Sequence, residues 1–455
     1  MKSRVSFSKV AVVIAAVFFL VVSSGSAFGA GFALIEQGVS GLGNAYAGGA
    51  ASAEDATTVF FNPAGMTRLG GQQFIAAAHI IMPSAKFNNE GSTHVLQPRT
   101  GIPLLGGNGG DGGVTKAVPN AYYTIKVNDR LSLGLGVNAP FGLATDYDHD
   151  WVGRYHAWKS EVISVNINPS LAYKITDKLS AGAGISVQYL KAKLSNAIDF
   201  GTLDALGRLG LPAGALHLTP QLSDGSVSLE GDSWGVGFNL GVLYEFSKNT
   251  RAGVAYRSRI RQKLEGDAEF SDVPAGLAPV PVFKGSGIKA DLTAPDSLSL
   301  SVFHGLTPQW MIMADVTWTN WSLFKELKVR FDNPNQPDSI TTENWRDSWR
   351  YSLGLTYLPS PSWTLRTGIA YDTSAVADQQ YRTPRVPDGD RLWLAAGAGY
   401  RVSQAVSLDV GYAHLFIHDP RIQKTPSGED AVRGGLVGTF DAHIDIISAQ
   451  LTMRF

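Results

Sequence analysis

The chain has 455 residues, of which 44% are hydrophobic and 17% are charged, and it contains no cysteine. Its formal net charge of -1 gives no reason to expect nucleic acid or another polyanion as a partner. Without cysteine the chain forms no disulfide and binds no metal through thiolates, and we expect neither a metal nor a cofactor.

Residues 1–29 are predicted to be a signal peptide. Basic residues within the first nine positions precede an apolar run from 10 to 22, and the small residues Ala27 and Gly29 then offer a cleavage site. The alternative, a membrane anchor, is disfavoured because the apolar run is short. Cleavage would leave Ala30 as the first residue of the mature chain.

A segment rich in glycine and alanine, residues 30–71, comes next. It shows no alternation of apolar and polar residues. From Gln72 to Phe455 the chain becomes a long series of alternating segments separated by turns. This organisation predicts a compact hatch, or plug, over residues 30–71 and a β-barrel over residues 72–455.

A period of two is clearest in residues 131–138, 179–189 and 234–244, where apolar side chains share one face and mostly glycine, serine or asparagine the other. A soluble sandwich would present charged residues and threonine to water, not rows of glycine. An outer-membrane barrel turns its apolar face to lipid and its small or polar face to the lumen. No apolar run after the N-terminus is long enough for a membrane helix, so strands must span any membrane.

Short turns alternate with long loops after residue 72, and counting between them indicates about fourteen strands, an even number that is typical of bacterial barrels. The last strand has an apolar residue at every second position from Ile447 and ends at Phe455, which resembles the signal read by the barrel assembly machinery. Tryptophans near strand ends suit interfacial girdles; these are Trp310, Trp318, Trp345, Trp349, Trp363 and Trp393.

We therefore predict an all-β fold, a transmembrane antiparallel β-barrel of about fourteen strands with the hatch in its lumen. Such a protein belongs in the outer membrane of a Gram-negative bacterium. There it would contact outer-membrane lipid and lipopolysaccharide and would depend on the barrel assembly machinery for its biogenesis. We expect a monomer.

Several motifs in the first third of the mature chain are similar to those of the FadL/TodX family of outer-membrane transporters for hydrophobic compounds. They are the segments 41–48 (GLGNAYAG), 54–56 (EDA), 62–65 (NPAG), 141–145 (FGLAT) and 166–173 (NINPSLAY). The resemblance in architecture extends over the whole mature chain. It implies a hatch inside a fourteen-stranded barrel and a ligand that leaves sideways into the membrane.

The residues themselves indicate a weak place in the barrel wall. Pro140 interrupts a regular strand, where it removes a hydrogen-bond donor. Pairing across the preceding tight turn places Pro119 near the level of Asn138 and Pro140. Together with the resemblance, this favours a lateral gap, although a bulge at the barrel rim is an alternative. The candidate gap residues are Pro119, Asn138, Pro140, Phe141 and Gly142.

The end of the hatch is predicted to control this exit. Pro63 has a restricted φ and biases Asn62 towards an extended backbone, which makes a defined bend. A small shift of that bend could open or close the path. The candidate gate residues are Asn62, Pro63, Ala64 and Gly65.

Two loops, residues 201–218 and 272–283, are too apolar for ordinary solvated connections. Exposed apolar patches commonly bind ligands, and in the FadL/TodX family these loops form a groove for initial capture. The alternative is that they pack only on each other. The candidate capture residues are Leu203, Leu206, Leu209, Leu211, Leu216, Val280, Val282 and Phe283.

Arginines alternate along residues 249–265, so that Arg257, Arg259 and Arg261 are predicted to share the lumenal face. Forked hydrogen bonds from such arginines could bind a ligand carboxylate. The alternative is that they pair with inward carboxylates and hold the lumen and hatch together. Asp315, Asp372 and Asp409 are the acids we consider for this.

The function we predict is passive uptake of hydrophobic compounds, above all long-chain fatty acids, captured by extracellular loops and released laterally. An importer of aromatic hydrocarbons of the toluene or xylene type is the alternative within the family. A polar-solute porin would need an open charged constriction in place of a hatch. An outer-membrane phospholipase is disfavoured because the histidines are scattered and no Gly-x-Ser-x-Gly elbow is present, so we expect no enzyme.

Overall fold

The computed structural model describes residues 31–418 and 420–455, so the predicted signal peptide lies outside the described residues. Twenty strand segments form a single sheet in this part of the chain. They are β1 (Gln72–Asn89), β2 (Lys116–Lys126), β3 (Leu131–Asn138), β4 (Gly142–Asp146), β5 (Lys159–Lys174), β6 (Leu179–Asp199), β7 (Asp224–Ser247), β8 (Thr250–Arg257), β9 (Ile260–Ser271), β10 (Ser286–Ala294), β11 (Ser297–Gly305), β12 (Trp310–Thr319), β13 (Glu326–Phe331), β14 (Ser339–Thr342), β15 (Ser348–Ser360), β16 (Trp363–Asp372), β17 (Arg391–Arg401), β18 (Val406–Ile417), β19 (Arg421–Lys424) and β20 (Leu436–Arg454).

The sheet closes on itself because β1 pairs with both β2 and β20, all antiparallel. Some barrel strands are interrupted and appear as two consecutive segments, namely β3 with β4, β8 with β9, β10 with β11, β12 with β13, β14 with β15 and β18 with β19. Counted in this way over the described residues, the molecule is a closed barrel of fourteen strands. The predicted all-β barrel is confirmed.

Helices in the described residues are short. The α-helices are α1 (Val39–Leu42), α2 (Gly49–Ser52), α3 (Thr58–Phe61), α4 (Gln97–Thr100) and α5 (Phe200–Ala205), and 3-10 turns cover Pro63–Arg68, Pro281–Phe283, Trp321–Leu323 and Gly428–Asp430. No helix in this part of the chain is long and apolar enough to cross a membrane.

Residues 31–71, including α1 to α3, lie inside the barrel against its inward face. The rows of glycine seen in the sequence are the places where they approach the wall. A Cβ atom on Gly253 of β8 would lie 1.8 Å from the carbonyl oxygen of Ala50, and one on Gly182 of β6 would lie 2.4 Å from the amide nitrogen of Ala64. Any larger residue at these positions would displace the hatch.

The outward face carries the apolar side chains of the alternating pattern. On β7, for example, Phe238 is 46%, Val236 68% and Trp234 60% exposed. Trp310, Trp349 and Trp363 are also outward and exposed, as predicted for girdles. The prediction is wrong for Trp345 and Trp393, which are buried because each packs against residues inside the barrel.

Candidate functional site

The barrel wall is interrupted where β3 ends at Asn138 and β4 begins at Gly142. Below the break, β2 pairs with β3 as far as the pair Ala121 and Val137. Beyond it, β2 continues to pair with β1 only and β4 pairs with β5 only. An isolated bridge between Gly113 and Thr145 rejoins the two sides further out. Between these two connections the barrel has a window in its wall.

The predicted gap residues meet at this window. Pro119 lies on β2 opposite Ala78 of β1, and Pro140 lies between β3 and β4. Neither proline can donate to a backbone ladder. Asn138 is buried, where its side-chain amide donates to the Tyr122 hydroxyl at 3.2 Å. The backbone amide of Phe141 donates to a side-chain hydroxyl, Ser164 Oγ, at 2.9 Å, and not to the carbonyl oxygen of a neighbouring strand.

The hatch supplies the missing partner of the interrupted strand. The amide of Leu34 donates to the carbonyl oxygen of Pro140 at 2.9 Å, and the amide of Gly142 donates to the carbonyl oxygen of Phe32 at 3.0 Å. Gly142 allows this approach, since a Cβ atom there would lie 2.8 Å from Leu34 Cδ1. Residues 32–34 therefore act as a short extra strand on the lumenal side of the window.

Phe32 anchors this extra strand in an aromatic cluster. Its ring lies 4.6 Å from the ring of Trp321 and 5.8 Å from that of Trp345, measured between centroids. Phe324 and Phe141 complete the surroundings at 6.3 and 6.0 Å. Such edge-to-face contacts favour one position of the ring. Sequence reasoning misses this cluster, because it predicts a girdle position for Trp345 and nothing local pairs that residue with Phe32.

A cavity of about 390 Å³ occupies the window. Its lining includes Phe32 and Arg391 on the lumenal side and Pro119, Ile163 and Val165 on the outer side. Ile163 and Val165 are outward residues, 45% and 40% exposed. The lining thus includes residues of both faces of the wall, and the cavity reaches from hatch residues 31–34 to the surface that faces lipid.

A second cavity, of about 140 Å³, lies in the lumen beside the window. Apolar residues of the hatch and the window line it, together with three cations. Two carboxylates, Asp315 and Asp372, also reach it. Its cationic residues are Arg257, Arg350 and Arg391.

These three arginines hold the hatch by its main chain. Each donates to a carbonyl oxygen of the hatch: Arg257 to Phe60 at 2.8 Å, Arg350 to Ala45 at 2.9 Å and Arg391 to Gly31 at 3.2 Å. Arg257 also lies over the Phe60 ring at 4.0 Å. Of the arginines considered from sequence, only Arg257 holds the hatch in this way, and it does so through a carbonyl oxygen and not through a carboxylate.

None of the three acids considered from sequence, Asp315, Asp372 and Asp409, pairs with Arg257. Asp372 pairs with Arg350 at 2.5 Å, and Asp315 accepts hydrogen bonds from Ser301 and from Thr317. Asp409 pairs with Arg366 at 2.8 Å, and Arg366 also contacts Glu54 of the hatch. Arg257 therefore has no carboxylate partner within 4.0 Å among the described residues, and its guanidinium lies next to the lumenal cavity.

The prediction that Arg259 and Arg261 face the lumen is wrong. The strand is interrupted after Arg257, where the amide of Ser258 donates to the carbonyl oxygen of Phe238 and Ser258 Oγ accepts from the Phe238 amide, both at 2.8 Å. This irregularity shifts the alternation by one residue, and a one-residue shift exchanges the two faces of a strand. Beyond it Ile260 is buried, while Arg259 and Arg261 are exposed on the outside.

The predicted gate residues lie against a different part of the wall. Asn62 Nδ2 donates to the carbonyl oxygens of Ala50 and Val242 at 2.6 and 3.0 Å, and Pro63 and Ala64 pack on Gly182. The hatch residues at the window are instead Gly31 to Leu34. Pro63 of the predicted gate lines the same lumenal cavity as Pro140 and Phe141 of the predicted gap.

The two apolar loops meet in one cluster on the long-loop side. Phe200, Leu209 and Leu277 form its buried centre. The rings of Phe200 and Phe283 lie 4.9 Å apart. Leu203, Leu216, Val280 and Phe283 pack around the centre, Leu206 and Val282 are half-buried and Leu211 is exposed. The loops thus pack on each other while leaving some leucine accessible.

A buried carboxyl group lies next to the aromatic cluster around Phe32. Glu343 is buried between β14 and β15, and its carboxylate accepts from Trp345 Nε1 at 2.8 Å. Burial raises the pKa of this carboxyl to about 7, against the opposing effect of that hydrogen bond and of Lys424 and Arg385.

A model of the family described as outer membrane protein transport protein (OMPP1/FadL/TodX) matches residues 20–455. A long-chain fatty acid transport protein of Escherichia coli CFT073 is 33% identical over 442 residues, which cover 95% of each chain. Outer membrane protein P1 of Haemophilus influenzae Rd is also 33% identical, over 87% of this chain and 88% of that protein. The crystal structure of a Pseudomonas aeruginosa FadL homologue superposes with a TM-score of 0.83 at 25% identity, covering 94% of this chain and all of that one.

Proposed function

Because this chain belongs to the OMPP1/FadL/TodX family of outer membrane transport proteins, we propose that it takes up long-chain fatty acids and releases them sideways into the membrane. The family locates the protein in the outer membrane and makes hydrophobic compounds the class that it transports. The acyl chain, the carboxylate and the lateral exit are the finer parts of the proposal.

The observation that supports a lateral exit is the cavity whose lining belongs to both faces of the wall. A ligand released into periplasmic water would lose about 0.8 kcal/mol of apolar burial for each methylene group. For a long acyl chain this loss is on the order of ten times larger, so direct release into water would be very slow. A path through the window keeps the chain in apolar surroundings throughout.

The observation that favours a carboxylate ligand is Arg257, which faces the lumenal cavity without an acidic partner among the described residues. A carboxylate is a stronger acceptor for a guanidinium than the carbonyl oxygen of Phe60 that Arg257 now contacts. Relatives named as long-chain fatty acid transport proteins are similar over nearly the whole chain. The toluene transporter TodX of Pseudomonas putida, at 17% identity and a TM-score of 0.69, is similar in fold alone.

In this proposal the ligand moves inwards in three steps. The apolar loop cluster around Leu209 takes up the acyl chain from outside. The carboxylate then reaches Arg257 and competes with the hatch carbonyl for it. Since residues 32–34 cover the window on the lumenal side, their displacement opens the path to lipid.

A reversible crosslink between the hatch and the window tests the exit. Ala33 and Phe141 form an antiparallel bridge, and the Cα atoms of such pairs lie about 4.5–5.5 Å apart, within the range for a disulfide. The chain has no cysteine of its own, so Ala33→Cys with Phe141→Cys adds a single defined pair. We expect the oxidised variant to bind labelled oleate at the cell surface without delivering it, and a reductant to restore delivery.

The two single-cysteine variants are the matched controls, because their transport should not respond to reductant. Undiminished oleate uptake by the fully oxidised double variant would refute the lateral route. The substrate is tested separately by comparing oleate, oleyl alcohol and toluene in the parent and in Arg257→Met. A loss confined to oleate supports carboxylate recognition, whereas transport of toluene in preference to oleate would favour an aromatic hydrocarbon importer.

A further inference from the structure

Three cations lie in a row on the outward side of β9 and of the break that precedes it. They are Arg259, Arg261 and Lys263, all exposed, whereas Ile260 and Gln262 between them point inwards and are buried. We call them the outer cation row. The row exists because the irregularity at Ser258 exchanges the two faces of this strand.

The outer cation row lies at the upper edge of the apolar band. On the neighbouring β7 the exposed apolar side chains end at Trp234, whose ring lies 5.3 Å from that of Tyr189 on β6. Paired aromatic residues of this kind mark the boundary between lipid tails and head groups. Everything outward of Trp234 on this face of β7 is polar, beginning with Asp232.

Register places two of the cations at that boundary. Asp232 of β7 is the partner of Glu265 of β9, so two residues further along Trp234 lies at the level of Lys263. The amide of Lys263 donates to Ser233 Oγ at 3.0 Å, which agrees with this alignment. By the same count, Arg261 is level with Val236, one of the most exposed apolar side chains of the band.

The carboxylates nearest to the row are already engaged. Arg259 pairs with Asp296 at 3.2 Å. Asp291, the register partner of Lys263 on β10, pairs with Arg330 at 2.6 Å. Around Arg261 and Lys263, no carboxylate oxygen of the described residues lies within 4.0 Å.

The acids without an ion pair lie further out. Asp232 and Glu265 occupy the next row towards the extracellular side, beyond the level of Lys263. Glu230, one row beyond those, is held by Lys191 at 2.5 Å and Lys193 at 3.0 Å. An anion would therefore be attracted to the level of Arg261 and Lys263 and repelled from the row above.

A charged side chain that faces the edge of the hydrocarbon region is stable only when it finds a counter-charge or reaches the head groups. We propose that Arg261 and Lys263 bind the phosphate group of an outer-leaflet lipid. The guanidinium offers forked hydrogen bonds to phosphate oxygens, and the ammonium adds a second positive charge. Val236 beside Arg261 and Phe238 below it form an apolar wall for the acyl chains of the same molecule. Cations directly above an apolar wall fit an amphiphile better than a free phosphate ion.

The test compares lipid binding by parent and variant protein purified in detergent, measured by native mass spectrometry during titration with diphosphorylated lipid A. Arg261→Gln with Lys263→Gln removes the two unpaired charges and should weaken binding about tenfold or more. Lys289→Gln with Lys328→Gln is the matched control. It also removes two outward charges, but these are paired with Asp332 at 3.3 Å and Asp338 at 2.9 Å.

Heat-modifiable gel mobility first establishes that each variant forms a barrel. We expect the control to bind lipid A as the parent does, and dephosphorylated lipid A to bind parent and variant equally weakly. Equal binding of lipid A to the parent and to Arg261→Gln/Lys263→Gln would overturn the proposal. It would also fail if inorganic phosphate alone displaced the lipid at equal concentration, because the site would then recognise the free ion.

Discussion

The amide of Leu34 donates a hydrogen bond of 2.9 Å to the carbonyl oxygen of Pro140, so the hatch itself completes the barrel wall at the place where β3 and β4 separate. Closure of the window therefore depends on a segment that is not part of the barrel. The segment is also held at both of its ends, by the Gly31 contacts to Asp388 and Arg391 and by Gln37 Nε2, which donates to the carbonyl oxygens of Leu34 at 3.0 Å and of Ala139 at 2.9 Å. Movement of residues 31–34 would open the window while the strands stay in place.

Phe32→Ala should release this segment. Removing a buried phenylalanine side chain costs about 3–5 kcal/mol. The two backbone hydrogen bonds between the segment and the window contribute only about 1 kcal/mol each, so they cannot hold the segment in place without the ring. We expect the amides of Leu34 and Gly142 to exchange with deuterium on the order of a hundredfold faster. Phe87→Ala, which empties an equally buried position in a different aromatic cluster, should leave these two amides unchanged. Slow exchange in Phe32→Ala would show that the cluster does not hold the segment.

Gly253→Val should displace the hatch without preventing barrel assembly. Its Cβ would lie 1.8 Å from the carbonyl oxygen of Ala50, a contact that no rotamer relieves, whereas the strand itself accepts valine readily. The variant should still show heat-modifiable mobility but make cells permeable to large polar antibiotics. Gly305→Val is the control, because the nearest atom to its Cβ is 3.6 Å away. Normal resistance of Gly253→Val cells would mean that the hatch can shift aside and still block the lumen.

Leu209→Ala should loosen the loop cluster. Truncating a buried leucine costs about 2–5 kcal/mol, which is large for two loops that mainly pack on each other. We expect proteases added to intact cells to cleave within residues 201–218 or 272–283, together with weaker capture of oleate at the surface. Leu222→Ala, at a position that is 74% exposed, should change neither. Protease resistance equal to the parent's would indicate that other contacts hold the loops.

Local stability around Glu343 should fall as the pH rises from about 4.5 to about 7. The folded-state pKa is raised from 4.5 to about 7, so the folded state holds a proton that the opened state releases in this window. The amides of Glu343 and Trp345, bonded to the carbonyl oxygens of Lys325 and Phe324, report the opening by hydrogen exchange corrected for its intrinsic pH dependence. We expect a total loss on the order of 3 kcal/mol across this window. Glu343→Gln should remove the dependence, and an unchanged slope in that variant would assign it to another group.

The fold could be predicted from the sequence because its signals are local. The alternation in residues 179–189 establishes a strand and its two faces, since successive side chains of a strand point in opposite directions. The rows of glycine indicated that something packs inside, and Gly182 and Gly253 do contact the hatch. Pro119 and Pro140 marked the window for an equally local reason, because proline has no amide hydrogen to donate.

The orientation of Arg259 and Arg261 and the position of Phe32 could not be predicted from the sequence, because both depend on contacts between distant segments. Nothing in residues 249–265 shows that Ser258 exchanges hydrogen bonds with Phe238, yet that contact turns Arg259 and Arg261 from the lumen to the lipid side. The position of Phe32 is set by Trp321 and Trp345, which come 289 and 313 residues later. Such hydrogen bonds and apolar contacts join residues that are far apart in the sequence. A pattern of period two describes only a regular strand, so it cannot show where a distant contact interrupts that strand.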